Sequence, residues 1–229
     1  MEINFKKKLF IILLLVFNAG FVDGYAFFYC DQRFADMMTG NMIQAGICFV
    51  QWDFSRIWDF LIPILFFTLG VMFRSAFSYW LILRRKFDIL YLILAQIVGI
   101  ASITVLYNTV LSHLSVSVFV GLLSFFMAIQ DTTFSKMGDL SYGSVLSTAN
   151  LKRFATGLTQ LIITGDRKYW RSVWFFGLLI VSLFIGVILS GFLGQVFRSW
   201  TLLGSVILLL LVYLTTRFWT EDIENKNNL

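Results

Sequence analysis

The sequence contains few charged residues and few of the residues that build catalytic or metal centres. Only 14% of its 229 residues are charged, whereas a soluble domain carries about 25%. Its two cysteines, Cys30 and Cys48, are too few for a disulfide framework and are either free apolar thiols or a single bonded pair. Its one histidine, His113, has no partner at a metal-ligand spacing. No nucleophile–base triad or glycine-rich phosphate loop occurs. We therefore predict a protein that is not an enzyme and that holds no metal or cofactor.

Apolar residues dominate instead. The chain is 59% hydrophobic, its mean hydropathy is +0.82, and several runs approach twenty apolar residues, the length that crosses ~30 Å of hydrocarbon. The formal charge of +5 does not indicate nucleic-acid binding, because lysine and arginine lie mostly between apolar runs, where membrane orientation explains them. Lys6–Lys8 followed by Leu9–Phe17 has the composition of a signal peptide without a clear cleavage site, so we interpret it as an uncleaved first helix. Residues 1–229 are predicted to form one domain in a lipid bilayer.

Six apolar runs are predicted to be long helices, and two are shorter. The long ones are approximately Leu9–Cys30, Ile57–Leu83, Leu90–Val110, Val116–Asp131, Val173–Val196 and Leu202–Leu214. The first short run, Met37–Val50, spans only ~21 Å at 1.5 Å per residue. The second starts near Ser144, but Lys152 and Arg153 leave only Phe154–Thr164 as its apolar part, ~16 Å by the same rise. The tail 221–229 is polar and is predicted to fray.

A polar motif occurs twice along the chain. Gly20-Phe21-Val22-Asp23 is followed by Thr39-Gly40-Asn41, and Ala128-Ile129-Gln130-Asp131 is followed by Thr148-Ala149-Asn150. The Asp-to-Thr spacing is 39 − 23 = 16 in the first copy and 148 − 131 = 17 in the second. The motif therefore indicates an internal duplication, with repeat one at about 9–110 and repeat two at about 116–218.

A second match supports the duplication. Leu69–Ser75 and Leu193–Ser199 share five of seven residues, in the third element of each half. The offset between the halves rises from 148 − 39 = 109 to 193 − 69 = 124, so about fifteen residues must be gained between these two points. The link around Asp166–Arg171 can hold part of this gain.

The distribution of basic residues distinguishes two topologies. With Lys6–Lys8 in the cytoplasm, two crossing short helices would place Arg84–Lys86 outside, against the positive-inside rule, whereas two re-entrant ones place it inside. Arg167, Lys168, Arg171 and the C-terminus then lie inside as well. This predicts an all-α polytopic membrane protein with six transmembrane helices and two short re-entrant or half helices. Three crossings per half make the halves inverted repeats. The alternative is six helices with two amphipathic surface segments and no cavity.

Two acids, Asp23 and Asp131, lie within apolar helices. Because such acids cost several kcal/mol to insert, they normally face an interior, a partner or water. They either bind a cation, a proton or a polar solute, or they cap the following link or pair with an arginine. Arg74 and Arg198, at equivalent places in the matched stretches, are candidate charge partners.

Each acid is followed by a polar group at the start of a short helix. Thr39 and Asn41, like Thr148 and Asn150, are good N-cap residues, so capping alone explains them. Alternatively, the free N–H groups and dipole of a half helix attract an anion or a carbonyl oxygen. Gly40 allows close approach, whereas Ala149 does so less well, which predicts unequal halves. Lys152 and Arg153 either add charge to the second site or extend towards cytoplasmic headgroups.

These motifs resemble a known family. Gly20–Asp23 followed by Met38-Thr39-Gly40-Asn41 resembles the opening signature of the YoaK-like family of small bacterial membrane proteins. The stretch from Ala128–Asp131 to Ser147–Asn150 is similar to that family's second block, in which Gln-Asn and Thr-Gly are commoner than the Gln130-Asp131 and Thr148-Ala149 found here. The resemblance covers about residues 10–215. It implies a domain of unknown function in the bacterial inner membrane and supplies no substrate.

We predict a small-solute or ion transporter, or permease, with both termini in the cytoplasm. Its central site would be formed by two inverted half-helix motifs, with Asp23, Thr39, Gly40, Asn41, Asp131, Thr148 and Asn150 as the binding residues. Replacing Asp23 by Asn should then abolish uptake and leave membrane insertion intact. The alternative is a non-transporting membrane scaffold or partner-binding subunit. The sequence leaves a homo-oligomer open.

Overall fold

The chain folds almost entirely into helices. The computed structural model describes residues 2–84, 88–110, 113–133, 136–137, 140–141 and 147–227. Its helices are α1 (Glu2–Tyr29), α2 (Met38–Val50), α3 (Phe54–Leu83), α4 (Asp88–Thr109), α5 (Val116–Thr133), α6 (Ser147–Thr164), α7 (Trp170–Phe197) and α8 (Leu203–Asn227). Two-residue strands β1 (Lys136–Met137) and β2 (Leu140–Ser141) pair antiparallel between α5 and α6. Short 3-10 turns at Arg167–Tyr169 and Arg198–Leu202 precede α7 and α8.

Five stretches of the described chain are long and apolar enough to cross a membrane. They are Lys8–Tyr29, Phe54–Leu83, Ile89–Thr109, Val116–Thr133 and Arg167–Phe218. The last has 52 residues and contains both α7 and α8, separated by the turn in which Arg198 has φ 51°. Large apolar side chains such as Phe184, Phe192 and Ile207 face outward, as lipid contact requires. The predicted all-helical membrane fold is confirmed at this level.

Two helices of the second half are longer than their predicted apolar runs. Helix α6 ends at Thr164 as predicted, and its apolar part Phe154–Thr164 is preceded by helix from Ser147 that includes Lys152 and Arg153, because lysine and arginine are good helix formers. Helix α8 continues past the predicted end at Leu214 to Asn227 and so includes most of the polar tail. Three other predictions fall outside the described residues. They concern the start of the second short run near Ser144, the basic residues Arg85 and Lys86, and the end of the tail at 228–229.

Helix α1 is the centre of the bundle. It packs against α7 and α8 and touches α5. Its apolar side chains Leu15 and Val22 join Ile100 of α4, Leu123 of α5 and Leu209 of α8 in one buried cluster. Helix α2 packs on α3, and α6 packs on α7. Cys30 and Cys48 are both buried and both free, so the bonded-pair alternative is wrong.

The side-chain contacts give the direction of each long helix. Ser182 of α7 donates to the Leu13 carbonyl and Tyr29 donates to the Gly191 carbonyl, so α1 and α7 run parallel. In α3 and α5, Gly121 lies against Phe66 and Gly70 against Phe125, so these two also run parallel.

The two parallel pairs run in opposite directions. Gln130 near the end of α5 bonds to the Leu15 carbonyl in the first half of α1, and Ser117 at the start of α5 bonds to Asp59, the partner of Arg33 just beyond α1. Helix α4 is antiparallel to α5, since Gln96 contacts Gln130 and Tyr107 stacks on Phe119. We call the end at which α1 and α4 finish the upper end.

Helices α7 and α8 fit the same scheme. Ser199, just after α7, bonds to Asn108 near the end of α4, so α7 finishes at the upper end. Helix α8 begins there, with Gly204 against Phe21, and packs along α1 and α4. Helices α1, α4 and α7 therefore point to the upper end, and α3, α5 and α8 point away from it. Each short helix consequently connects two long helices at one end: α2 at the upper end and α6 at the lower end.

Glycines bring the parallel pairs into backbone contact. A Cβ added to Gly20 would strike the Leu183 carbonyl of α7, and one added to Gly186 would strike the Phe17 carbonyl of α1. In the other pair, a Cβ on Gly70 would strike the Phe125 carbonyl. Small residues allow this approach between helices in a membrane, where packing rather than the hydrophobic effect holds helices together.

Candidate functional site

The first motif is a buried polar cluster in which Asp23 holds the link between α1 and α2, residues 30–37. One carboxylate oxygen, Oδ1, accepts hydrogen bonds from the backbone N–H groups of Ala35 and Asp36, each at 2.8 Å. The other, Oδ2, accepts one from Met37 at 3.1 Å. Asp23 is 6% exposed. Its carboxylate satisfies three backbone donors that would otherwise be buried unpaired. Of the roles considered for Asp23, capping of the following link therefore describes its contacts in this conformation.

Asn41 closes the same link from the other side. Its Oδ1 accepts from the Phe34 N–H at 2.9 Å, and its Nδ2 donates to the Phe34 carbonyl at 2.8 Å. Asn41 therefore does not cap α2, whose N-cap is Met37 and receives no side-chain hydrogen bond. Gly40 faces the Phe34 ring, because an added Cβ would lie 2.6 Å from two ring carbons. Thr39 is exposed.

Replacing Asn41 by leucine is expected to destabilise the protein by about 2–3 kcal/mol, because it leaves the N–H and C=O of Phe34 buried without partners. Asn41→Asp retains the acceptor and loses the donor, so its loss should be smaller. Thermal unfolding in detergent, followed by size-exclusion elution, measures both. Thr39→Val, at the exposed neighbouring position, is the control. Equal stability of Asn41→Leu and Thr39→Val would contradict this assignment.

Asp36 is the residue that the sequence analysis missed. It is 5% exposed, and neither carboxylate oxygen has a hydrogen-bond partner among the described residues. Its backbone N–H is bonded to Asp23, and its carboxylate lies close enough to Asp131 and Asp23 to be repelled by both. Asp36 thus lies near both motif acids. The available signal was an acid with apolar neighbours, Ala35 and Met37, on both sides.

The surroundings of Asp36 favour its protonated form. Burial raises the pKa of Asp36 well above the usual value of 3.8, and the nearby carboxylates of Asp131 and Asp23 raise it further. A carboxyl whose pKa is raised on folding stabilises the protein fully below its unfolded pKa. That stability is lost as the pH rises through the folded pKa.

Replacing Asp36 by asparagine is therefore expected to raise the stability at neutral pH by about 1–3 kcal/mol, since asparagine is uncharged without taking up a proton on folding, whereas the buried Asp36 carboxyl must either take up a proton or keep an unpaired charge. The wild-type melting temperature should rise as the pH is lowered from neutral towards the ordinary carboxyl range, and this slope should be smaller in the variant. Melting curves across that range test both points. A variant that melts lower than the wild type at neutral pH would contradict the account.

A second buried polar group lies between α1, α4 and α5. Gln130 accepts from Asn18 at 2.8 Å and from Gln96 at 3.3 Å, and it donates to the Leu15 carbonyl at 2.9 Å. All three side chains are at most 1% exposed, and the Oδ1 atom of Asn18 has no hydrogen-bond partner in the described part of the chain. Gln130 precedes Asp131, so this network borders the second motif. The sequence analysis did not assign Asn18 or Gln96 to a site.

The upper end is closed by Arg33. Its guanidinium is ion-paired with Asp59 of α3 at 2.8 Å and with Asp31 at 3.0 Å, and it also donates to the Cys30 and Asp59 carbonyls. Ser117 of α5 donates to the other oxygen of Asp59 at 2.5 Å. Arg33 therefore connects the link above Asp36 to the first turns of two long helices.

The second motif is less completely described. Asp131 is half-buried in the last turn of α5, Asn150 is buried in the first turn of α6, and Thr148 is exposed. Of the candidate charge partners, Arg74 is half-buried and contacts Thr133 of α5 at 3.5 Å. Arg198 is exposed beyond α7, and Asp23 is bonded to backbone N–H groups rather than to an arginine. Of the second motif, Asp131 lies near enough to Asp36 for its charge to raise the pKa of the Asp36 carboxyl.

An apolar groove lies on the outside of the first motif. It has a volume of about 300 Å³ and lies between α1, the link and α7. Its lining is mostly apolar, with Phe27, Phe34, Met37, Leu183 and Val187, and it also includes Asp23. Such a lining suits an acyl chain rather than a polar solute. Among the described residues, no three His, Cys, Asp or Glu side chains are placed to hold a metal ion.

These features define a class of protein. Several long apolar helices, packed around buried polar side chains and covered by outward apolar ones, are those of an integral, multi-pass membrane protein. The family model of DUF1275, a protein of unknown function, matches residues 11–215, and the chain belongs to this DUF1275 family. No curated protein and no solved structure matches the chain.

Proposed function

We propose that this protein is a small permease that moves a polar solute or an ion across the bacterial inner membrane. The observation that carries the proposal is Asp36, a buried carboxyl with no hydrogen bond to either oxygen in the described chain, near the acids of both motifs. A buried charge of this kind is costly in a membrane protein and usually marks a pathway for ions, protons or polar substrates.

The helix directions support six crossings. Three long helices run upward and three downward, while α2, ~20 Å long at 1.5 Å per residue, connects two long helices at the upper end. Helix α6 does the same at the lower end. In this arrangement neither short helix crosses the membrane, which is what we expect of re-entrant helices.

The charges support an orientation with both termini in the cytoplasm. Basic side chains collect at the lower end, where α1 and α7 begin and α3 ends: Lys8, Arg84, Lys152, Arg153, Arg167, Lys168 and Arg171. Fewer basic side chains lie at the upper end: Arg56, Arg198 and Arg33, of which Arg33 is paired with Asp31 and Asp59. By the positive-inside rule the lower end faces the cytoplasm.

The packing supports two inverted repeats. Helix α1 packs on α7 as α5 packs on α3, and α2 on α3 corresponds to α6 on α7. Gly186 meets the carbonyl of Phe17, and Gly70 meets that of Phe125. Both phenylalanines precede their motif acid by six residues, since 23 − 17 = 6 and 131 − 125 = 6.

This packing gives a different register for the third elements of the two halves. It equates Gly70 with Gly186, an offset of 186 − 70 = 116, whereas the similar stretches equate Gly70 with Gly194, which instead lies against the Tyr29 ring. About seven residues, rather than fifteen, are then gained after the short helices.

Reconstituted protein tests the proposal. Proteoliposomes containing the full chain are exposed to hyperosmotic glycerol, urea, glycine or potassium chloride, and reswelling is followed by light scattering. At least one probe should enter faster than into protein-free liposomes. Asp36→Leu should remove that difference, and Asp166→Asn, which changes an exposed acid paired with Lys168, should leave it intact. Entry at the protein-free rate for every probe would contradict the proposal.

A second candidate is a non-transporting scaffold or partner-binding subunit. The observation that favours it is the complete use of Asp23 and Asn41 in holding backbone. In a scaffold the motif would only stabilise irregular chain, and Asp36 would never meet water. Chemical access to position 36 therefore separates the two candidates.

A further inference from the structure

Asp36 is poorly equipped to bind a metal cation. A dehydrated metal ion needs several oxygen ligands, and no three acidic, histidine or cysteine side chains of the described chain are placed to supply them. The nearest acid on α1, Asp23, already accepts three backbone hydrogen bonds. A proton needs only one carboxylate oxygen, and it also removes the charge that burial penalises.

The groups around Asp36 are mainly acidic. Its carboxyl is buried with neither oxygen hydrogen-bonded in the described chain, and its backbone N–H is bonded to Asp23 of α1. The charges of Asp131 of α5 and of Asp23 add to the effect of burial in raising the pKa of Asp36. The cation in its own link, Arg33, is turned towards Asp31 and Asp59. On α3, Arg74 contacts Thr133, two residues beyond Asp131. Asp36 is thus a buried carboxyl in the upper link, and Asp131 is a half-buried carboxyl near it, in the last turn of the helix that leads to the lower end.

We infer that Asp36 and Asp131 carry protons through the protein, and that the permease proposed above is driven by, or conducts, protons. The inference rests on the proposed function and names its ion. When the link opens, Asp36 takes a proton from a hydronium ion at the upper end: an O–H bond of the hydronium ion breaks as one forms on the Asp36 carboxylate. Because no residue of the described chain is hydrogen-bonded to either Asp36 oxygen, the proton then passes to the Asp131 carboxylate through water, and the Asp36 O–H bond breaks as an O–H bond forms on Asp131. Asp131 releases the proton to water at the lower end, and no electrons are transferred.

The step needs Asp36 to alternate between a closed and a wet state. In the closed state observed here, the Asp23 hydrogen bonds and the Arg33 ion pairs hold the link over the carboxyl. Protonated Asp36 fits this state because it carries no charge. An open state would expose Asp36 to water, where it would ionise. The gate is therefore the link 30–37, and the proton is what makes its closure favourable.

Proton flux into proteoliposomes measures the inference directly. Liposomes are loaded with a pH-sensitive dye and potassium, and valinomycin then sets an inside-negative potential in a potassium-poor buffer. The wild type should acidify the lumen faster than protein-free liposomes do. The acidification rate should fall to the protein-free rate in both Asp36→Asn and Asp131→Asn, while in Asp166→Asn it should match that of the wild type. Size-exclusion elution and melting curves show that each variant is folded.

Infrared difference spectra supply a readout that a purely structural role would not change. The wild type should show a protonated carboxyl band at neutral pH, and Asp36→Asn should lack it. Wild-type flux equal to the protein-free rate, or full flux in Asp36→Asn, would overturn the inference.

Solute reswelling separates the failure of this inference from that of the proposed function. Reswelling without proton flux supports the permease and contradicts the inference that it carries protons. Proton flux without reswelling by any probe supports a proton conductor and contradicts the movement of a polar solute. Loss of both contradicts both proposals.

Discussion

Replacing Asp23 by alanine is expected to destabilise the protein by about 3 kcal/mol or more, because three buried backbone N–H groups lose their only acceptor and each unsatisfied donor costs roughly 1–3 kcal/mol. These donors are in Ala35, Asp36 and Met37, so the loss should appear as an unfolded or misfolded upper link. Asp23→Asn retains one carbonyl oxygen and should lose about half as much. Thermal unfolding in detergent measures the series.

Asp53→Ala is the matched control for Asp23. Asp53 also accepts a backbone hydrogen bond, from Arg56 at 3.3 Å, but at an exposed helix start. Losing such a cap costs only ~1 kcal/mol. If Asp23→Ala unfolds at the same temperature as Asp53→Ala, the three hydrogen bonds do not hold the link. This expectation also revises the test in the sequence analysis, since lost uptake in an Asp23 variant would report folding as well as transport.

The second large effect is expected at the glycines that bring the helices into contact. Gly20→Ala and Gly70→Ala should each destabilise the protein by about 3 kcal/mol or more, at or beyond the upper range for overpacking, because the new Cβ meets a backbone carbonyl rather than a mobile side chain. The two changes lie in different helix pairs, α1 with α7 and α3 with α5. Their effects should therefore add.

Gly46→Ala provides the control for these glycines. Gly46 lies inside α2, and an added Cβ would meet nothing within 4 Å. Alanine is favoured over glycine in a helix by up to about 1 kcal/mol, so this variant should be neutral or slightly stabilised. Unfolding of the three purified variants in detergent gives the comparison. Equal stability of Gly20→Ala and Gly46→Ala would show that α1 and α7 are not in backbone contact.

Long apolar helices could be predicted from the sequence because membrane spans are defined by length and hydropathy alone. Their bounds depend on finer effects. The charges of Lys152 and Arg153 interrupt an apolar run but not a helix, since both residues have favourable helix propensity and Arg153 lays its guanidinium over the Phe176 ring at 5.6 Å. The apolar run Phe154–Thr164 is therefore shorter than α6, the helix that contains it.

The candidate site could be predicted only in part. Asp23 is recognisable because an acid in an apolar helix is costly, but its partners are backbone N–H groups twelve to fourteen residues away, which no residue pattern reveals. Asp36 was missed because an acid in a polar link is normally hydrated. Its burial is a consequence of how the link folds back beneath Arg33. Asn41 was recognised for its residue type but bonds to Phe34 instead of capping α2.

The central claim is that Asp36 lies in a site that water reaches, and labelling of a cysteine at that position tests it most directly. In a variant with Cys30 and Cys48 replaced by alanine, Asp36→Cys is treated in spheroplasts with a membrane-impermeant thiol reagent. Gln32→Cys, exposed in the same link, reports access from outside, and Ile43→Cys reports the outward apolar face of α2. The account predicts labelling at position 36 that is slower than at 32 and faster than at 43. Labelling at 32 with complete protection at 36 would contradict the permease and favour a packed scaffold.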